Sequence, residues 1–168
     1  EQLQDSAPLM SLRGAQNAEK TLQAGITAVG DMGSRNRIAL DLREAINRGY
    51  CVGPRMQVSG QPVIMTGGHG HFMGREADGP HEVRKAAREQ LKAGADCIKL
   101  MATGGVLTPG INEGAAQLTE EELRAGIEEA HKVGHRAAVH AIGNEGIKNA
   151  LRAGINSIEH GVYLDEEA

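Results

Sequence analysis

One unit recurs along the chain: a helix end, an Ala-Gly stop, a short apolar run and a glycine. KTLQAGITAVGDMG (20–33), EQLKAGADCIKLMATGG (89–105) and NALRAGINSIEHG (149–161) carry it, and IEEAHKVGHRAAVHAIG (127–143) is a looser copy. The glycines at 25, 94, 134 and 154 suit the left-handed position just past a helix. The apolar run that follows is too short for a helix. Its Ile, Val and Ala content suits a strand covered on both faces.

The pattern predicts helices over 11–24, 36–48, 80–93, 119–133 and 145–153, each leading into a strand, at 26–31, 55–60, 96–102, 136–142 and 155–160. Thr119 and Glu122 form a capping box at one helix start. Helices alternating with strands through right-handed crossovers imply a parallel sheet, with the five strands adjacent in chain order and the helices outside. Recurrence of one unit favours a (β/α) barrel over an open doubly wound sheet. A closed barrel of this class needs eight strands and about 250 residues. The expected fold is therefore α/β, a partial (β/α)8 TIM barrel occupying 1–168 as one domain.

Composition narrows the classes. The 168 residues are 40% hydrophobic and carry a formal net charge of -4. Without a basic patch to neutralise phosphates, no nucleic-acid or anionic-membrane partner is expected. No apolar run approaches the roughly 20 residues that span a bilayer. Phe72, Tyr50 and Tyr163 are the only aromatics of the Phe, Tyr and Trp kind, so the core must be aliphatic. Cys51 and Cys97 lie in different apolar segments and suggest no disulfide. The chain opens with neither an initiator Met nor a signal pattern, as an interior segment would; the compartment stays open, the cytoplasm being the default.

Three groups fall at the C-terminal ends of predicted strands, where barrel enzymes place their chemistry. They are Lys99 in IKLMATGG, His140 in AVHAIG and His160 in SIEHG. Alone, each has an ordinary structural explanation: a hydrogen-bonded histidine, or a lysine snorkelling to the rim. Together, on neighbouring parallel strands, they converge on one mouth. Burial lowers a lysine's pKa, and the neutral amine can add carbon dioxide to give a carbamate. The carbamate's two oxygens can bridge metals, and two neutral imidazoles suit zinc or a similar divalent ion. Cys97 is expected on the same strand face as Lys99, one pleat deeper.

AGADCIKLMATGGVLTPG, AAVHAIGNEGIKNALRAGINSIEHG and VIMTGGHGHF together resemble the amidohydrolase superfamily. The branch they are most similar to holds imidazolonepropionase-like enzymes and metal-dependent dipeptidases of the Xaa-Pro and Xaa-Arg/Lys type. The resemblance implies that Lys99 is the carboxylated lysine of the fourth strand, bridging two metals. His140 and His160 become the histidines of the fifth and sixth strands that bind one of them. It also implies a metal-bridging hydroxide attacking an amide carbonyl in a dipeptide or N-acyl amino acid. A cyclic amidase such as an imidazolonepropionase is the alternative within the family. The family's His-x-His pair on the first strand and its Asp on the eighth have no counterpart here, so the chain corresponds to about strands 2 to 6. A catalytically incomplete fragment is therefore a further reading, and a phosphate-binding barrel synthase using Lys99 is another.

The HGH at 69–71 sits on the loop after the third strand of that scheme, the wrong place for the His-x-His pair. Substrate contact by His69 and His71 is the functional reading, and a flexible polar loop the plain one. ATGGVLTPGINEGAAQ fits a lid over the mouth better than a phosphate cradle. Asp31 either bonds within the mouth or caps the next helix. Glu159 should point away from the mouth, into a salt bridge, and His81, His131 and His135 should be structural or solvated. Open strand edges in a partial barrel lead us to expect a homo-oligomer.

Overall fold

The computed structural model describes residues 5–168. Five helices, α1 (Ala7–Gln23), α2 (Ile38–Asn47), α3 (Gly79–Ala93), α4 (Glu120–Lys132) and α5 (Asn144–Ala153), run between seven strands. These are β1 (Ala28–Asp31), β2 (Arg55–Val58), β3 (Val63–Ile64), β4 (Arg75–Glu76), β5 (Cys97–Met101), β6 (Arg136–Ala141) and β7 (Ser157–His160). All pairings between the named strands are parallel. Helix α1 begins earlier than its pattern suggests, because Pro8 fits the first helical turn, where its missing N–H costs nothing. Gly94 and Gly154 end α3 and α5 at φ +97° and +87°, the left-handed stop that the repeated Ala-Gly predicts.

Strands β5, β6 and β7 are adjacent in the expected order. The second predicted strand, 55–60, lies beside β1 as expected but not beside β5. It ends at Val58 and pairs with β1, while the two-residue β3 takes the place beside β5, with Val63 opposite Leu100. Gly60 at φ +69° and Pro62, which has no N–H for a ladder, account for the break. Asp96 closes the resulting gap. Its backbone N–H donates to the Val58 carbonyl at 2.8 Å, and its carboxylate accepts the Val58 N–H at 2.9 Å. Arg43 of α2 donates to the same carboxylate oxygen at 2.5 Å. The two sheets thus form one arc of a (β/α) barrel.

Alternation along the buried strands divides the molecule into layers. Ile98, Leu100 and Ala102 of the β5 segment, and Ala137, Val139 and Ala141 of β6, join Val83, Leu123, Ile127 and Ile147 in the core under the helices. The opposite face of β5 carries Cys97, Lys99 and Met101, so Cys97 shares a face with Lys99 as the pleat requires. Burial drives the Cys97 thiol up to about 11, which keeps it protonated and inert. Thr119 and Glu122 make the predicted capping box, and Glu122 also accepts the Gly79 N–H that opens α3, at 2.7 Å. Among the described residues no helix is long and apolar enough to cross a membrane.

Candidate metal centre

The inward face of the arc opens at the C-terminal strand ends into a cavity of about 370 Å³. Lys99, His140, His160, His69 and Glu159 all line it. Register explains most of this gathering. Lys99 lies opposite Ala138 and His140 opposite Glu159, so one inward face carries them all.

Lys99 is only 4% exposed, although it carries an ammonium in its ordinary state. Desolvation pulls its pKa down to about 8, with the field of Glu159 opposing the fall. Among the described residues it has no hydrogen-bond or ion-pair partner. A buried amine without a partner is costly, and a fraction of it is neutral and nucleophilic near pH 7.

His140 is held by its far nitrogen. Nε2 lies 2.7 Å from the Gly104 carbonyl, which can only accept, so Nε2 carries the proton and Nδ1 keeps its lone pair. Burial, then the neighbouring His69, His160 and Lys99, drive the ring's pKa down to about 4 against that hydrogen bond. A neutral imidazole with one nitrogen fixed by a backbone carbonyl and the other free is the usual state of a metal ligand.

His160 reaches the same space by a different device. Strict alternation would aim it at the helices, since Glu159 already faces inward. Its backbone instead takes φ +81°, and its ring comes within 4.8 Å of His140, centre to centre. The expectation that Glu159 points outward into a salt bridge is thereby corrected: it lines the cavity and accepts from Ser157 Oγ at 3.2 Å.

The HGH loop divides. His69 is 4% exposed and its ring lies 4.6 Å from that of His140. Gln117 accepts its backbone N–H at 3.0 Å, and its Nδ1 is 3.1 Å from Thr108 Oγ1. Burial, then His160 and Lys99, lower its pKa. His71 is exposed, packs edge-on to Phe72 at 5.8 Å and lies outside the cavity lining. The glycine-rich loop folds over the mouth and supplies Thr108, Val106 and Leu107. Asp31 does not line this cavity; it accepts the Gly33 N–H at 3.2 Å, and burial raises its pKa.

The donor set can be tested against a divalent ion. Among the described residues, no three His, Cys, Asp or Glu side chains are arranged to hold one by themselves. His140 and His160 would need a further donor to hold such an ion, and Lys99 as an ammonium cannot serve. A carbamate on the unpaired, partly neutral Lys99 amine would supply oxygen donors, and with that change the set fits.

Comparison with known proteins identifies the family. Residues 9–167 match the sequence profile of the amidohydrolase family. Ochratoxinase of Aspergillus niger is 34% identical over 92% of this chain and 37% of its own length. Among solved structures, a Xaa-Pro dipeptidase with bound methionine is 38% identical with a TM-score of 0.89, over 94% of this chain and 42% of that one. A prolidase complexed with N-methylphosphonate-L-proline is 32% identical with a TM-score of 0.92, over 99% of this chain and 44% of that one. The chain thus spans about two fifths of the length of these relatives. With a family profile covering almost its whole length and the fold of these relatives, the chain belongs to the amidohydrolase family.

Proposed function

We propose that this chain supplies one side of the active site of a metal-dependent amide hydrolase. Lys99 is its carboxylated lysine, and His140 and His160 are ligands of a divalent ion, zinc by the nitrogen character of the donors. The observation that carries the reading is Lys99 itself: buried, without a partner among the described residues, and beside a histidine whose Nδ1 makes no hydrogen bond among them.

The neutral amine of Lys99 adds carbon dioxide with loss of one proton, forming an N–C bond and a carbamate anion. Gly104 holds His140 in the tautomer that offers Nδ1. His69, packed on His140 and anchored through Thr108 and Gln117, contacts substrate at the mouth. His71 gains no support for that role from its exposed position. When bound, the metal supplies Lewis-acid polarisation of a carbonyl and a water of lowered pKa. The substrates are dipeptides, the class in the name of the Xaa-Pro dipeptidase relative, or N-acyl amino acids, which present the same kind of amide.

Intact mass of the full-length protein that carries this chain, measured without denaturation, tests the reading. It predicts an added carbon dioxide on Lys99, lost in Lys99→Ala together with metal and with hydrolysis of N-acyl amino acids. A wild-type protein that hydrolyses such amides without metal, or whose Lys99→Ala variant keeps both, would overturn it.

A further inference from the structure

Above the titratable groups, the wall of the mouth is apolar. Val106 and Leu107, from the loop after β5, and Val162, from the turn after β7, line the same cavity as Lys99 and His140, with Met73 from the HGH loop beside them. Val106 is 76% exposed, Leu107 68% and Val162 59%. Scattered apolar side chains on a surface are ordinary. Three of them, brought from two separate loops to one polar-floored cavity, form the apolar lining with a few placed polar groups that marks a ligand site.

The two loops are also fixed to each other and to the floor. Tyr163 donates its hydroxyl to Glu113 at 3.1 Å, and its backbone N–H to the Ile142 carbonyl at 3.0 Å. Thr108, next to Leu107, is buried and accepts the Gly70 N–H at 2.9 Å. The apolar side chains therefore stand at set positions over the site. Among the described residues, the only charged side chains lining the cavity are Lys99 and Glu159, both on strands. A charged substrate group lying along this wall would meet no charged side chain in the wall itself.

We propose that Val106, Leu107 and Val162 form a specificity wall that selects amides bearing an aromatic or branched aliphatic group over charged ones. The proposal rests on the amide-hydrolase reading above. N-acetyl-L-phenylalanine and N-acetyl-L-aspartate are suitable probes, with kcat/KM and calorimetric binding measured on the full-length protein. Wild type should favour the phenylalanine compound by roughly 100-fold, and V106S/L107S should lower its kcat/KM about 10-fold or more, mainly through KM. The same variant should change the aspartate compound by less than about 2-fold. Leu107→Arg, at a position exposed enough to accept it, should shift preference toward aspartate. Equal losses on both probes, or no change in either variant, would overturn the wall. Hydrolysis without preference removes the wall and leaves the hydrolase; calorimetric preference for phenylalanine without hydrolysis does the reverse.

Discussion

His140 and Gly104 share a hydrogen bond of 2.7 Å between ring Nε2 and the backbone carbonyl. A loop carbonyl thereby decides which nitrogen of a strand histidine is free. Long-range proton–nitrogen NMR on metal-free protein should show Nε2 of His140 protonated and Nδ1 bare. Zinc addition should then shift Nδ1 alone. A protonated Nδ1 would remove His140 from the ligand set.

Gly105 lies against the His69 ring, where an added Cβ would come within 2.5 Å of Nε2. His69 is buried against His140 and cannot retreat without losing that contact. Gly105→Ala should cost about 1–3 kcal/mol of stability, as overpacking does. It should also weaken hydrolysis by the full-length protein. Thermal unfolding and kcat/KM check the two effects, and an unchanged midpoint with unchanged activity would show that the loop moves freely.

Asp96 makes up for the missing ladder between β2 and β5, as described above. Asp96→Ala leaves the Val58 N–H and Arg43 without their acceptor. The loss should be about 1–3 kcal/mol, read as a lower urea midpoint. Amide exchange should quicken at Val58 and in β1, but little in β6, if the link holds the two sheets together.

Glu129 on α4 is 5% exposed and is clasped by Arg88 at 2.8 Å and Lys132 at 2.6 Å. These partners hold its carboxyl down to about 2, Arg88 first. A depressed folded pKa gives stability that is complete above the unfolded value, near 4.5, and is lost as pH falls through about 2. Glu129→Gln should cost about 1–2 kcal/mol at pH 7, since Arg88 and Lys132 are more than half exposed and water screens them. The gap between wild type and variant should shrink from pH 4.5 downward. A gap constant down to pH 2 would contradict the ion-pair origin.

Local pattern made the repeated unit legible, because each helix stop and each apolar strand is written within a few consecutive residues. Lys99 and His140 were legible for the same reason: each sits at a countable position on a buried strand. The break at Gly60 and Pro62 was visible as residues, but that Val63 would reach Leu100 depends on how far the turn displaces the chain. His69 stacking on His140 is set by Gln117 and Thr108, which lie 48 and 39 residues away along the chain. No local pattern carries such a contact. Glu159 was misjudged because strict alternation assigned the inward face to His160, and a single left-handed dihedral let both residues share it.

That dihedral carries a cost as well as a geometry. At φ +81° a side chain with a Cβ is strained by about 1–3 kcal/mol, and glycine would sit there at ease. The backbone at residue 160 and the chemistry at residue 160 therefore want different amino acids. His160→Gly should relax the main chain while emptying a space the shape of an imidazole, and His160→Ala should empty the space and keep the strain. Dissolved imidazole can then be offered to both. If the ring matters only as a donor, the small molecule should restore part of the lost metal affinity in the glycine variant, turning a covalent side chain into an exchangeable one.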